Sequence, residues 1–196
     1  MMRLCRLCAV LFLVAGCAKN RDSLAAPAAA VHPPDFIKYT IPAGAHYATE
    51  NTFQAVETSA LSFDVRFDST AIYKCTSPEN QYDINKLYGF SDNGAQHHLY
   101  SARFGWRWSD GALRLFGYVY NEGNVVSKEI GTVPVGVVVR CRIVVTADAY
   151  FFYCNEWMQT LPRKSKTANG KGYLLYPYFG GDEAAPHEVH VWIKSV

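Results

Sequence analysis

Asp110-Gly111 lies between two runs of alternating aromatic, aliphatic and charged residues. A two-residue turn of this composition favours a tight hairpin whose twist matches its strands. Such a turn pairs Ser109 with Ala112, Trp108 with Leu113, and so on outward. On that register Ala102, Phe104, Trp106 and Trp108 share a face with Leu113, Leu115, Gly117 and Val119, which is apolar enough for a core. The other face carries Arg103, Arg107, Arg114, Phe116, Tyr118 and Tyr120. A slip by one residue would exchange the two faces. Gly117, opposite Phe104, is expected to leave room for that ring.

The rest of the chain follows the same period. Leu61, Phe63, Val65 and Phe67 alternate with Ser62, Asp64 and Arg66, so 60–67 reads as a strand with one buried face. Further strands are expected at 71–75, 101–108, 112–120, 125–131, 135–146, 149–155, 172–179 and 187–194. Gly, Asn, Asp and Pro punctuate them at short intervals, and helical periodicity is almost absent. Residues 35–196 therefore read as a single antiparallel β-sandwich domain, soluble and long enough to bury a substantial core.

A second hairpin turns at Ala147-Asp148 and sets Cys141 opposite Cys154 at a non-hydrogen-bonded position, within disulfide reach. A bridge there would contribute about 3 kcal/mol if unstrained. Cys75 is then left free.

Arg3 and Arg6 precede an uncharged aliphatic run, Leu7 to Ala15, that is too short to span a bilayer. It ends in Val14-Ala15-Gly16-Cys17, which resembles the lipobox of bacterial lipoproteins. The resemblance implies a signal peptide at 1–16 and acylation of Cys17, which would anchor the chain to a lipid bilayer. Residues 17–34, rich in Ala and Pro, read as a flexible linker. Ala18 is not the Asp that often marks inner-membrane retention, so the outer membrane is the expected destination, with the leaflet open. Without Arg3 and Arg6, the 19 basic and 17 acidic side chains become equal in number. That balance gives no global attraction for nucleic acid.

Three segments are distinctive: Ile84–Asn93 running into Gln96-His97-His98, Ser101–Trp108, and Leu175–Glu188. The last contains Pro177-Tyr178-Phe179-Gly180-Gly181-Asp182-Glu183-Ala184-Ala185-Pro186-His187. This wording is similar to a segment of secreted or lipid-anchored bacterial proteins, many from the Bacteroidetes, to which no reaction is assigned. The resemblance covers roughly 58–196 and implies a concanavalin A-like jelly roll.

Such folds commonly bind glycans on one sheet. Arg103, Arg107, Arg114, Tyr118, Tyr120 and His98 are the expected binding residues, with aromatics stacking on sugars and Arg forks holding carboxylates or sulfates. A polysaccharide lyase is the alternative. Arg103 would neutralise a uronate, His98 or His97 act as base, and Tyr100 or Tyr118 as acid. However, the Arg-x-Glu-x-Arg and Gln-[Ile/Val]-His motifs of jelly-roll alginate lyases are absent, and Tyr178-Phe179-Gly180 does not match their Tyr-Phe-Lys-x-Gly. The Glu-x-Asp-x-x-Glu run of retaining glucanases is missing as well, so binding is favoured over catalysis. An adhesion lipoprotein that binds protein is a third reading.

No cofactor is expected. His97-His98 and His187-x-x-His190 read as backbone-bonded histidines. If any metal is held it is structural calcium, with Asp182 or Glu188 as contributors.

Overall fold

In the computed structural model, which describes residues 35–196, alternation produces the strands expected of it. The expected signal peptide, acylated Cys17 and linker lie outside the described residues. The strands are β1 (Ile37–Ile41), β2 (Ala55–Thr58), β3 (Ala60–Phe67), β4 (Asn85–Ser91), β5 (Tyr100–Ser109), β6 (Ala112–Asn121), β7 (Asn124–Val133), β8 (Val138–Val145), β9 (Ala149–Cys154), β10 (Trp157–Pro162), β11 (Gly170–Leu175) and β12 (Val189–Ser195). They form two antiparallel six-stranded sheets, in the orders β1-β12-β3-β8-β9-β10 and β2-β11-β4-β5-β6-β7.

The Asp110-Gly111 hairpin has the expected register, from Ser109 opposite Ala112 to Tyr100 opposite Asn121. Both turn residues have positive φ, 53° and 70°, which Asp tolerates and Gly adopts freely. Its inner face meets the first sheet. The rings of Phe104 and Phe63 lie 5.5 Å apart, those of Phe104 and Phe152 5.3 Å, and those of Trp106 and Phe67 5.3 Å. Each such buried side chain contributes roughly 1.5–3 kcal/mol by leaving water. Gly117 makes room for a different ring than expected. A Cβ there would lie 2.9 Å from Phe152 and 2.7 Å from Leu161, so the space serves the facing sheet, not Phe104.

Four further expectations are corrected. Residues 71–75 form no strand. Asp68 caps a 3-10 turn, Ser69–Ala71, by accepting from Thr70 N. Gln81 then bonds the backbone at Cys75, Tyr73 and Trp108, replacing a strand ladder. The strand expected over 172–179 stops at Leu175, just before Tyr176-Pro177. Hairpin 149–155 continues through a turn at Asn155 (φ 48°) into β10, which was not foreseen. Cys141 does face Cys154, but both are free buried thiols, as is Cys75. The pair is held as two hydrogen-bonded thiols on the inner face, where burial pushes the Cys141 thiol up.

Among the described residues one ion pair is fully buried. Asp92, at the end of β4, receives Arg163 Nε at 2.9 Å, with both side chains at 0% exposure. Tyr150 Oη and the backbone N–H of Lys171 also donate to this carboxylate. Arg163 also donates to the Thr146, Thr167 and Asn169 carbonyls and so fixes the segment between β10 and β11. Burial alone would raise the Asp92 carboxyl. The hydrogen bonds from Arg163, Tyr150, Lys171 and Asn93 hold it below the usual carboxylate range.

Candidate functional site

The face of the second sheet turned away from the core carries a groove of about 400 Å³. Its floor comes from β4, β5, β6 and β11. Its walls come from the loops at 42–54, 92–99 and 176–188. The alternation that buries Phe104 and Trp106 points Arg103 outward, beneath this groove. Gly89 opposite Arg103 permits the approach, because a Cβ there would fall 2.9 Å from Arg103 Cγ.

Arg103 is only 5% exposed. Its Nε has no hydrogen-bond partner, and no carboxylate pairs with it among the described residues. Burial pushes its guanidinium down to about 10, while the hydroxyls of Tyr118, Tyr120, Tyr173 and Tyr178 pull the other way. It therefore stays charged at neutral pH. Lys86 stands nearby, with Nζ over the Tyr118 ring at 4.8 Å and donating to Ile84 O at 2.7 Å. Burial, then the Arg103 charge, pushes Lys86 down to about 8, with Asp83 acting weakly against them. Among the described residues, no Asp or Glu lines the groove. A buried cation ordinarily has a partner, because leaving one unpaired costs several kcal/mol. Arg103 and Lys86 therefore give the floor of the groove a positive charge.

The walls are aromatic. Phe53 is 82% exposed and lies 5.8 Å from the Tyr173 ring. Tyr47, 65% exposed, meets Tyr178 edge-on at 4.8 Å, and His46 stacks on Tyr178 at 5.3 Å. His97 and His98 sit on a loop, not a strand, so both reach the groove, their rings 4.2 Å apart. His97 Nδ1 lies 3.0 Å from Tyr173 Oη.

Of the expected binding residues, Arg103, Tyr120 and His98 line the groove, with Tyr118 packed beneath it against Lys86 and Arg103. Arg107 and Arg114 do not join them. Arg107 donates to Tyr82 O at 2.7 Å and Ser109 Oγ at 3.1 Å and lies over Phe116 at 4.8 Å. Arg114 pairs with Glu129 at 2.9 Å and Asp110 at 3.4 Å. Both sit toward the turn of the hairpin and are engaged by its neighbours. Sequence reasoning missed Lys86, Tyr173, Tyr178, Tyr47 and Phe53. Only the aromatic density of 173–179 hinted at two of them.

The 176–188 loop is pinned from below. Asn85 Oδ1 accepts from Gly180 N at 2.8 Å, and Glu183 accepts from Thr76 N and Ser77 N, both at 2.7 Å. His187 bonds Thr70 O, and His190 lies between Asp68 and Glu188. Among the described residues no three His, Cys, Asp or Glu side chains are gathered as a metal would require. Asp182 is exposed, and Glu188 is engaged with His190.

Solved structures of similar fold include the alginate lyase AlyC3, at 9% identity and TM-score 0.59, covering 82% of this chain and 74% of that one. A glycoside hydrolase family 16 endo-glucanase from Bacteroides ovatus aligns at 10% identity and TM-score 0.54, covering 82% and 80%. The catalytic domain of an endo-1,3-beta-glucanase (laminarinase) from Thermotoga petrophila aligns at 9% and 0.52, covering 82% and 75%. The fold is a jelly roll. No family model and no curated protein matches the sequence. At these identities the likeness extends to the fold alone, and the jelly roll's groove has its own side chains.

Proposed function

We propose that this chain is a lipid-anchored jelly-roll protein that binds acidic polysaccharide in the groove above Arg103. The observation that carries this reading is the buried guanidinium without a counter-charge, set in the floor of a groove walled by exposed aromatic rings. A carboxylated sugar supplies both complements. Its carboxylate pairs with Arg103 and Lys86, and its apolar faces pack on Phe53, Tyr173 and Tyr178. Jelly rolls named for alginate and β-glucan chemistry support a polysaccharide as the partner. The absence of acidic residues from the groove lining, among the described residues, argues against hydrolysis by paired carboxylates. The anchor rests on the charge, apolar run and Cys17 of the first residues, and the outer membrane is its proposed location.

Calorimetric titration with polymannuronate, polyglucuronate and polygalacturonate tests the binding. Saturable heat is expected with at least the polymers that fit the groove, and none with a neutral β-glucan. Equal binding of the neutral chain would refute the assignment of Arg103.

Lys86 adds a pH dependence. Below about 8 it is charged and adds a second donor to the carboxylate. Affinity should therefore fall as pH rises through about 8, by about tenfold or more, the range for a hydrogen bond to a charged group. Lys86→Met should bind more weakly at pH 7 and lose this dependence. A wild-type affinity that is flat across that range would exclude Lys86 from the ligand.

A further inference from the structure

We propose that the outward face of the first sheet rests on anionic phospholipid headgroups, so that the domain lies on its bilayer with the groove turned away from it. This rests on the acyl anchor of the reading above and not on the ligand of the groove.

Parity builds the face. In the sheet ordered β1-β12-β3-β8-β9-β10, the residues between the buried ones point away from the core. One row across the strands reads Lys38, Trp192, Arg66 and Val138. The next reads Lys194, Asp64 and Arg140, and a third Ser62, Arg142, Tyr153 and Met158. Asp64 is taken by Arg140, and Asp35, at the edge, by Lys194 at 3.3 Å. Among the described residues no carboxylate pairs with Lys38, Arg66 or Arg142. Glu50 feels the Lys38 charge, but its oxygens are occupied by Thr40 N and Thr49 Oγ1. Arg66 gives Nε to Gly136 O at 3.0 Å, while its Nη1 has no hydrogen-bond partner. The carboxylates that flank His190, Asp68 and Glu188, lie toward the end of β12 remote from Lys194.

Interleaved with these cations are the exposed side chains of Val138, Tyr153 and Met158. That mixture suits the headgroup layer, where cations meet phosphate while Tyr and Met reach the acyl boundary. A soluble polyanion would use the charges and leave the apolar side chains in water.

The anchor delivers this face to the lipid. The chain from Cys17 joins the domain at Asp35, whose carboxylate sits on Lys194, and β1 is the edge strand of the same sheet. On the sequence reading of 17–34 as a flexible coil, its ends lie roughly 20–25 Å apart. A tether of that reach holds the face near the bilayer at an effective concentration of about millimolar. Each basic side chain brought to an anionic leaflet adds about fivefold to the partition, so three unpaired ones add on the order of a hundredfold. The groove opens on the outward face of the other sheet, and in this orientation it faces the surroundings, where a polymer can reach it.

The test uses the full-length chain, matured and acylated, in vesicles of phosphatidylcholine with or without phosphatidylglycerol. Reductive methylation of each lysine is followed by mass spectrometry. At low ionic strength Lys38 and Lys194 should react at least about fivefold more slowly when phosphatidylglycerol is present. Lys171, half-exposed on the outward face of the second sheet, should react at one rate in both. Salt at about 1 M, where screening acts within about 3 Å, should abolish the difference. Arg142→Glu, at an exposed position, should bring the two rates within about twofold, since it reverses one unpaired charge. Equal rates for Lys38 and Lys194 in the two vesicles would overturn the inference. Slowing of Lys171 alongside them would do the same, because it puts the groove face on the lipid. Protection that survives salt and appears in phosphatidylcholine alone would mean that copies of the chain cover one another, again refuting it. Cys17 recovered without acyl groups would end the anchor reading itself, a separate failure read by mass in the same experiment.

Discussion

Arg163→Leu is expected to lower the unfolding free energy by about 3–5 kcal/mol, the cost of stripping one partner from a buried ion pair. The variant leaves the Asp92 carboxylate at 0% exposure with Tyr150 and backbone N–H groups as its remaining donors. It also frees the carbonyls of Thr146, Thr167 and Asn169 that Arg163 serves. Asp92→Asn removes the charge but keeps the shape, and a loss toward the lower end of that range is expected. The Asp92 carboxyl is held below the ordinary carboxylate range, so its folded form binds a proton less readily than its unfolded form. Its contribution is therefore present at neutral pH and is lost as pH falls through the depressed value. Urea denaturation read at neutral pH and at pH values below the ordinary Asp value of 3.8 checks both statements. A loss below about 1 kcal/mol in Arg163→Leu would mean that this network carries little of the fold. Asp92 also begins the loop that bears His97 and His98, so a loosened network should weaken ligand binding before the domain unfolds.

Arg103→Met should separate stability from binding. In the unliganded protein the guanidinium is buried with Nε unsatisfied, a state that costs about 1–3 kcal/mol. Methionine fills a similar path without that cost, so unfolding free energy should hold or rise. Affinity for uronate polymers should fall by about 30- to 3,000-fold, corresponding to 2–5 kcal/mol for truncating one side of a buried charged contact. A residue kept for the fold would show the reverse pattern, with stability lost and affinity retained.

Much of this architecture could be read from period-two alternation. The register of the Asp110-Gly111 and Ala147-Asp148 hairpins, and the facing of Arg103, Tyr118 and Tyr120, follow from turn chemistry and parity alone. Strand β4 was missed because Gly89 and a register shift between Lys86 and Gly89 interrupt its pattern. Strand β10 was missed because Gln159, Thr160 and Pro162 give it no alternating apolar face. The groove was half legible. Parity can place Arg103 and Arg107 on one face, but it cannot say that Tyr82 and Ser109 accept from Arg107 while the Nε of Arg103 is left without a hydrogen-bond partner. Tyr47, Phe53 and Tyr178 come from loops that meet only in three dimensions, so no local pattern could have joined them to Lys86.

The central claim is that Arg103 waits for a sugar carboxylate, and one comparison tests it directly. Polymannuronate and the same polymer with its carboxyl groups reduced to alcohols share backbone, linkage and ring faces, and differ only in the anion. Titrated into the wild-type chain at pH 7, the carboxylated polymer should bind and the reduced one should bind at least 30-fold more weakly. Equal affinity for the two would contradict the account.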